Sequence, residues 1–297
     1  MDEHSINNES LEKLKRACLE HGFFYLKNEK PSGGFHIPKQ KVDRIWEISR
    51  DIFDVSIDKK MDSHVKKSKN HRGYFSSLDY KEFNKDPDGI HIKDNKEGFF
   101  FGSENLIGPG NIVPEGKEHL LPEIEEYMDY CKNTCFSLMH AVAQTKLISD
   151  VDPDSFTKDY LAKNPIYMMK LLKYPPTNGN TDAHTDYGLV TLLLPGDSGL
   201  EINSNGQWHS VPVVPDAFVI NLGDLLAMWV NNSIKSTIHR VQYNSSEGKY
   251  RFSVPFFMHP SQGTVITCQG ENGDKIDSYE YCLKKFDQTY SHRQKSS

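Results

Sequence analysis

The sequence is poor in cysteine and has no paired cysteine motif. Its five cysteines are odd in number, and no two of them form a CxxC pair. This pattern argues against a disulfide framework and against a structural zinc site with cysteine ligands. Cys131 and Cys135 lie four positions apart in a helical pattern, where burial is favoured over bridging. We therefore expect a reducing compartment, the cytoplasm.

Long apolar runs and an excess of positive charge are also missing. No stretch approaches the roughly 18 apolar residues of a membrane-spanning helix, and the polar, acidic first residues are unlike a signal peptide. Lysine and arginine number 35 against 41 aspartate and glutamate residues, which gives a net charge of −6. We therefore expect no nucleic-acid partner and no membrane partner. The lysine-rich segment 59–69 is interrupted by Asp62 and Ser63, and we interpret it as a solvated surface.

The first half of the chain contains helical periodicity and polar loops. Apolar residues recur at helical spacing near the N-terminus, where Asn8 or Ser10 is available as a helix cap. Residues 60–115 are polar and rich in Gly, Asn and Asp, which indicates long loops. The pattern predicts helices at 7–21, 39–53 and 117–147, and short strands at 22–26 and 98–102.

The second half changes to short strands at close spacing after Asn164-Pro165. Turn residues such as Asn205-Gly206 separate the strands. The predicted strands cover 167–172, 190–194, 200–202, 208–214, 217–222, 236–243, 251–258 and 264–267, and a final helix covers 278–290. Such strands are typical of a sandwich or barrel. The sequence therefore predicts a mixed α and β protein, with a helical and loop-rich first half packed on a β core.

A candidate metal site combines a His-x-Asp motif with a distant histidine. His184 and Asp186 are two positions apart, and on an extended segment such residues project from the same face. His239 lies in a later run of β-forming residues, which an antiparallel fold can bring opposite the first pair. Two imidazoles and one carboxylate form the facial triad that binds iron(II) and leaves coordination positions open. Because a His-x-Asp motif alone occurs often by chance, the interpretation depends on residues farther downstream.

Arg251 and Ser253 form a candidate anchor for an anionic ligand. They are two positions apart in a predicted strand, so their side chains share a face. A guanidinium binds a carboxylate in a forked, charge-assisted pair, to which a neighbouring hydroxyl adds a hydrogen bond. An arginine in an apolar strand needs a permanent anionic partner or an anionic ligand. The pair suits the distal carboxylate of 2-oxoglutarate, whose other end chelates iron; an ordinary ion pair with a surface acid is the alternative.

Five motifs in a fixed order give the chain a family resemblance. They are Lys170-Leu-Leu-Lys-Tyr-Pro175, His184-Thr-Asp-Tyr-Gly-Leu-Val-Thr-Leu-Leu193, Asn221-Leu-Gly-Asp224, Ser236-Thr-Ile-His-Arg-Val241 and Arg251-Phe-Ser-Val-Pro-Phe-Phe257. The first half adds Cys18-Leu-Glu-His-Gly-Phe-Phe-Tyr-Leu26, Arg72-Gly-Tyr74 and Lys96-Glu-Gly-Phe99. On these motifs the chain resembles the iron(II)- and 2-oxoglutarate-dependent oxygenases, in the isopenicillin N synthase-like branch.

The resemblance implies a fold, a domain organisation and an activity. The fold is a distorted double-stranded β-helix (jelly roll) with a helical N-terminal region and a C-terminal helix. Residues 1–115 would form an N-terminal region of the non-haem dioxygenase type, 116–163 a linking long helix, 164–263 the oxygenase core and 264–297 a C-terminal strand and helix. The implied reaction oxidises an unactivated C–H bond of a small molecule by hydroxylation, desaturation or cyclisation. It uses Fe(II), 2-oxoglutarate and O2 and releases succinate and CO2.

The resemblance also selects candidate ligand-binding residues outside the metal site and the anchor. Tyr174 is a cosubstrate candidate, with packing as the alternative. Five residues of the first half are substrate candidates: Arg72, Tyr74, Lys96, Phe99 and Phe101. Packing of the aromatic residues and surface exposure of the cations are the alternatives. A cation at this place favours a carboxylate-bearing substrate. Separately, we expect the protein to act as a monomer.

Two further predictions concern neighbours of the motifs. Asp224 is expected to cap a helix after a tight turn, and Arg240 must project to the face opposite to that of His239. Two positions depart from the family pattern. The loop at 244–248 makes the spacing from His239 to Arg251 slightly long, and Leu172 or Lys173 stands where some relatives have an asparagine or tyrosine.

Three alternative functions share the same residues. One is an oxidase of the same family that does not use 2-oxoglutarate and binds its own substrate's carboxylate with Arg251 and Ser253. Another is a sensor that binds the metal and 2-oxoglutarate without turnover. The last is a zinc hydrolase, although no general base lies beside the three ligands in the sequence and no cysteine favours zinc.

Overall fold

Helices and strands of the computed structural model are described for residues 6–29, 36–77, 94–108, 110–148, 151–267 and 275–290. The helices are α1 (Asn8–Glu20), α2 (Lys39–Asp51), α3 (Ile57–Asp62), α4 (Leu121–Gln144), α5 (Pro153–Ser155), α6 (Asp224–Trp229) and α7 (Ser278–Thr289), with 3-10 turns at Val65–Lys67 and Glu118–Leu120 and a π-helix at Phe156–Ala162. The strands are β1 (Phe23–Lys27), β2 (Gly73–Ser76), β3 (Glu97–Gly102), β4 (Ile166–Tyr174), β5 (Gly179–His184), β6 (Val190–Pro195), β7 (Leu200–Ser204), β8 (Gln207–Ser210), β9 (Ala217–Leu222), β10 (His239–Tyr243), β11 (Arg251–His259), β12 (Val265–Thr267) and β13 (Lys275–Asp277).

Two antiparallel sheets form the core. The larger sheet has the order β1-β9-β6-β11-β4-β3-β2, the smaller has the order β5-β10-β7-β8, and β12 pairs with β13. Side chains from both main sheets line one cavity. This arrangement is the jelly roll that the resemblance implied, and it confirms the predicted mixed α and β fold.

Helix α4 covers the outer face of the larger sheet. Its buried residues recur at helical spacing, from Ile124 to Val142. They join a core cluster that contains Phe256, which alternates along β11 with the cavity-facing Pro255 and Phe257. Replacing a fully buried phenylalanine by alanine costs about 3–5 kcal/mol, so the Phe256 side chain is one of the contacts that fix β11 in place.

Some element boundaries differ from the prediction. Strand β4 continues to Tyr174, β8 ends at Ser210, and β10 begins only at His239. The prediction also missed β5, whose polar sequence Gly-Asn-Thr-Asp-Ala-His lacks the β-forming residues by which strands are recognised. Pairing with β10, which is distant in the chain, holds that segment extended.

The lysine-rich segment is not wholly a solvated surface. The Lys60 side chain is 10% exposed, and its Nζ lies 2.9 Å from Glu97 Oε2. Helix α3 brings Lys60 to this position, because Ser56 caps the helix and orients its first turn.

No helix in the ranges given above has the length and hydropathy needed to cross a bilayer.

Candidate metal centre and cosubstrate cavity

A cavity of about 1180 Å³ lies between the two main sheets. Alternate residues of β4, β6, β9 and β11 line it on one side, and β5 and β10 line it on the other. The end of α7 contributes Phe286 and Thr289 to its wall. All three predicted metal ligands and all three predicted cosubstrate residues line this cavity.

The three predicted metal ligands converge on one point. His184 Nε2 lies 3.7 Å from Asp186 Oδ1, and His239 Nε2 lies 3.9 Å from Asp186 Oδ2. Their ligand atoms all lie within 4.8 Å of one another, a spacing that fits a single metal ion. His184 ends β5 and pairs in register with His239 on β10. Asp186 follows the strand rather than lying on it, so the turn at 185–189, and not a shared strand face, aims its carboxylate.

Backbone carbonyls set the orientation of both imidazoles. Nδ1 of His184 lies 2.7 Å from the carbonyl of Asp182, and Nδ1 of His239 lies 3.0 Å from that of Thr237. Because a carbonyl only accepts, each Nδ1 donates its proton and each Nε2 keeps a lone pair. The lone pairs face the point where the three ligands meet. This is the tautomer that a metal ligand requires.

Protonation states at the site suit a divalent cation. Burial lowers the pKa of His184 to about 4, and the neighbouring His239 adds to this effect. Burial alone would raise the pKa of Asp186, but the two imidazoles and the hydrogen bonds from Thr191 and Asn221 lower it overall. At neutral pH the centre therefore presents a carboxylate and a neutral His184 imidazole. Nitrogen and carboxylate ligands without thiolate form the facial triad of iron(II) oxygenases.

A tight backbone approach fixes the turn that carries Asp186. The N–H of Asp224 donates to the carbonyl of Asp186 at 2.8 Å. A Cβ at Gly223 would lie 2.3 Å from the carbonyl oxygen of Gly188, so only glycine allows this contact. The prediction that Asp224 caps α6 is wrong: Gly223 is the cap residue, and Asp224 is the first helical residue. The Asp224 carboxylate instead accepts from Ser236 at 2.7 Å.

Arg251, Ser253 and Tyr174 meet in the cavity wall. Arg251 and Tyr174 are register partners on β11 and β4, and the guanidinium carbon lies 4.8 Å from the tyrosine ring centre. Nη1 of Arg251 lies 3.3 Å from the Ser253 hydroxyl, and Nε donates to the carbonyl of Ser198 at 2.8 Å. Burial lowers the pKa of Arg251. In the described residues no carboxylate lies within 4 Å of it, so a buried cation faces the cavity with donors left for an anion.

Residues next to the site in the sequence alternate between the cavity face and the opposite face of their strands. Arg240 projects to the face opposite to that of His239, as predicted, and there it pairs with Glu201 at 2.8 Å. Leu172 lines the cavity between Tyr174 and Lys170, whereas Lys173 points to the other face and pairs with Glu97 at 3.1 Å. Of the two residues that stand at the family position for an additional cosubstrate contact, Leu172 faces the cavity and Lys173 does not.

Four of the five predicted substrate residues lie outside the cavity wall. Tyr74, Phe99 and Phe101 belong to the hydrophobic core. Arg72 is fully buried, and its Nη2 donates to the carbonyls of Ser103 and Leu106 at 3.0 and 2.6 Å. Backbone oxygens thus accept from both Nη groups of Arg72, the groups that a forked pair with a carboxylate would use. These four side chains pack in and around β3 and do not line the cavity.

Lys96 does line the cavity, but the protein neutralises its charge. Its Nζ lies 2.5 Å from Asp94 Oδ2 and donates to the Thr181 hydroxyl at 2.8 Å. The Thr181 hydroxyl in turn lies 3.0 Å from the hydroxyl of Tyr174. Asp94 also accepts from the N–H of Asp182 at 2.7 Å. The pair therefore supports the strand that carries His184, and Asp94 is a part of the site that the sequence did not reveal.

Other cavity residues were also missed. Asn221 and Thr191 donate to Asp186 Oδ2, and His259 presents a buried imidazole whose Nδ1 has no partner in the described residues. Lys170 lies on the cavity face of β4. The signal that could have found Lys170 was the alternation itself, because Tyr174 and Lys170 are four residues apart and share a face.

Comparison with known proteins places this site in a family. Residues 165–260 match the family model described as the 2OG-Fe(II) oxygenase superfamily, and residues 2–123 match that of the non-haem dioxygenase in morphine synthesis N-terminal region. The chain is 31% identical to the 2-oxoglutarate-dependent dioxygenase traH of Penicillium crustosum, over 94% of this chain and 87% of the relative. It is 29% identical to the homoarginine-6-hydroxylase 2-ODD-C23 of Glycine max, over 87% and 80% of the two chains.

A solved structure shows the same fold. A full-length Neurospora crassa protein in complex with α-ketoglutarate superposes with a TM-score of 0.76 at 25% identity, over 93% of this chain and 90% of that chain. Its ligand is the cosubstrate that the His184–Asp186–His239 centre and the buried Arg251 suit. Fold, ligand set and relatives agree, and this chain belongs to the iron(II)- and 2-oxoglutarate-dependent oxygenase superfamily.

Proposed function

We propose that this oxygenase oxidises an unactivated C–H bond of a small molecule and that Arg251 anchors its 2-oxoglutarate. The observation that carries the proposal is that the three metal ligands and a buried guanidinium, which has no carboxylate partner in the described residues, open into one cavity. One end of 2-oxoglutarate chelates a metal and the other is a carboxylate. A cavity with a metal site and a separate cation suits both ends.

Each residue of the site has one proposed task. His184, Asp186 and His239 hold the iron, which when bound activates dioxygen and supplies the oxidising power. Arg251 and Ser253 bind the distal carboxylate of 2-oxoglutarate in a charge-assisted pair. The Tyr174 ring packs on the guanidinium and keeps its plane fixed. For a hydroxylation, 2-oxoglutarate, O2 and the substrate R–H give succinate, CO2 and R–OH.

The apolar part of the cavity wall favours oxidation of carbon. The strands contribute Met168, Leu172, Leu193, Val241 and Phe257 to the lining. These side chains exclude water and position an apolar portion of a substrate beside the metal ligands. Hydroxylation, desaturation and cyclisation all begin with such a placement. We further propose that the substrate bears a carboxylate.

We also propose a cytoplasmic monomer. Cys18, Cys131, Cys135 and Cys282 are buried thiols that form no disulfide in the described residues, as expected in a reducing compartment. Cys268 lies outside the described residues. The metal ligands, the cosubstrate anchor and the cavity wall all come from a single chain, so a monomer has a complete site.

Succinate formation tests the proposed reaction. The protein is incubated with Fe(II), 2-oxoglutarate and O2, and a panel of small molecules is screened for compounds that increase succinate release. Succinate should appear together with O2 consumption and an oxidised product. Verified oxidation without succinate would establish the family oxidase instead. If the protein binds 2-oxoglutarate but consumes no oxygen in a single-turnover experiment, it is a sensor rather than an enzyme.

A further inference from the structure

Lys170 lies on the cavity face of β4, among residues that line the site. Alternate side chains of this strand face the cavity: Met168, Lys170, Leu172 and Tyr174. At roughly 3.3 Å per residue, Lys170 is about 13 Å along the strand from Tyr174. Tyr174 is the register partner of Arg251. Lys170 is therefore well separated from the proposed anchor for 2-oxoglutarate.

The register places Lys170 near the metal end of the cavity. Thr191 on β6, which donates to Asp186, is the register partner of Phe257 on β11. Phe257 is in turn the register partner of Met168 on β4. Lys170 is the next cavity-facing residue after Met168. The Lys170 backbone therefore lies two residues along β4 from Met168, which is in the same cross-strand row as Phe257 and the Asp186 donor Thr191.

Four aromatic rings surround the Lys170 ammonium. The ring centres lie within 6 Å of Nζ in this aromatic cage: Phe257 at 5.2 Å, Phe100 at 5.7 Å, Tyr290 at 5.8 Å and Phe75 at 5.9 Å. The cage attracts a cation through the faces of its rings and holds the lysine in place. It provides no negative charge. Across the described ranges, Lys170 Nζ also has no hydrogen bond and no ion pair, so its donors are available to a ligand.

Charge pairing distinguishes Lys170 from the other cations. The described part of the cavity wall has four cationic side chains: Lys96, Lys170, Arg251 and Lys285. Two of these have carboxylate partners in the protein, Lys96 with Asp94 at 2.5 Å and Lys285 with Asp224 at 3.5 Å. Among the same described residues, Arg251 and Lys170 have none within 4 Å. Arg251 is assigned to 2-oxoglutarate, and one cation at the metal end remains for a second anion.

We propose that Lys170 is a specificity-determining residue that binds a carboxylate of the substrate, while Phe257 and Met168, which line the same cavity, pack against an apolar body. The substrate class is then a small apolar carboxylic acid. This inference rests on the proposed function, because it takes Arg251 to be occupied by 2-oxoglutarate. It replaces Arg72 and Lys96, which the sequence favoured, by a cation whose charge is not already compensated.

Matched acids and amides test this recognition. The probes are 4-phenylbutanoate, octanoate and cyclohexanecarboxylate, each with its primary amide. Binding to the anaerobic protein loaded with Fe(II) and 2-oxoglutarate is measured by calorimetry for the wild type, Lys170→Met, Lys170→Arg and Lys173→Met. Lys173 is a matched control, since it is on the same strand but points to the opposite face and pairs with Glu97. Thermal unfolding of each variant checks that the fold is retained.

The wild type should bind at least one acid about 10-fold or more tightly than its amide, as a charge-assisted hydrogen bond provides. Lys170→Met should abolish this preference, whereas Lys170→Arg and Lys173→Met should keep it. The proposal is overturned if no acid is preferred by the wild type, or if Lys170→Met retains the preference. It is also overturned if Lys170→Met weakens 2-oxoglutarate binding to the same degree, which would assign Lys170 to the cosubstrate.

Measuring succinate release distinguishes a failure of the Lys170 proposal from a failure of the proposed oxygenase activity. A Lys170-dependent preference for acids in a protein that forms no succinate would support the recognition and contradict the oxygenase activity. Succinate formation with no preference between acid and amide would support the activity and contradict the role of Lys170.

Discussion

Nδ2 of Asn221 donates a 2.7 Å hydrogen bond to Oδ2 of Asp186, from 35 positions later in the chain. The Thr191 hydroxyl donates to the same oxygen at 2.5 Å. Both donors are buried and come from neighbouring strands, β9 and β6. Together they hold the carboxylate in the orientation in which its other oxygen lies 3.7 Å from His184 Nε2.

Asn221→Ala should weaken metal binding without removing a ligand. Loss of an outer hydrogen bond to a metal ligand typically costs about 10–100-fold in affinity, and the anaerobic Fe(II) dissociation constant should rise by that amount. Asn203→Ala, in the other sheet, is a control that should leave the constant unchanged. Equal Fe(II) affinity in the wild type and Asn221→Ala would show that Thr191 alone is sufficient to orient Asp186.

Removing a metal ligand should abolish turnover. In His184→Ala and Asp186→Ala, the remaining two side chains cannot complete the facial triad, so Fe(II) affinity and succinate formation should both be lost. Treatment of the wild type with a chelator should have the same effect, with activity restored by Fe(II) and not by Zn(II). Full turnover in either variant would show that the ligand assignment is wrong, and recovery with zinc would support a hydrolase.

Arg251→Ala should raise the 2-oxoglutarate requirement sharply. Truncating one partner of a buried charge pair costs roughly 2–5 kcal/mol, so the KM for 2-oxoglutarate should rise by about 30-fold or more. Succinate formation is measured against 2-oxoglutarate concentration. Arg44→Gln removes a surface arginine that pairs with Glu123 and should leave the curve unchanged. An unaltered KM in Arg251→Ala would contradict the proposed anchor.

Glu97→Gln should destabilise the protein at neutral pH but not in acid. Burial alone would raise the pKa of Glu97, but Lys60 and Lys173 lower it below the usual 4.5. A carboxyl group with a lowered pKa adds stability above about pH 4.5, and this contribution is lost as the pH falls through the lower, folded value.

At pH 7 the variant leaves the mostly buried Lys60 without its partner, which costs roughly 3 kcal/mol. Urea unfolding at pH 7 and pH 3 measures the difference in the free energy of unfolding. The difference should be large at pH 7 and small at pH 3. The exposed Glu47→Gln is the control, and a loss that persists undiminished at pH 3 would exclude the ion pairs as its cause.

Much of the second half was predictable because its strands are apolar and β-forming. Strands β6, β9 and β11 were predicted to within one or two residues, and their inner faces follow from alternation. Strand β5 was not predicted, since its polar residues have no strand propensity of their own. It is extended because β10 provides hydrogen-bond partners.

The first half was harder to predict because its polar residues are satisfied by distant groups. Arg72 was expected at the cavity, but carbonyls 31 and 34 positions away accept its hydrogen bonds. A Cβ on Gly102 would lie 2.7 Å from its guanidinium, so the absence of a side chain there makes room for it. Nothing in the local pattern around Arg72 indicates these acceptors.

The sequence by itself determined the ligand types and their approximate grouping. His184, Asp186 and His239 are recognisable from their donor chemistry and the Arg251/Ser253 pair from strand alternation as well, and both are local properties of the chain. Only the tertiary structure decided which cations remain available to bind a ligand. Asp94 neutralises Lys96, whereas Lys170 is surrounded by rings from β2, β3 and β11 and from Tyr290. Charge compensation depends on groups brought together by folding, and the spacing of residues along a strand does not encode it.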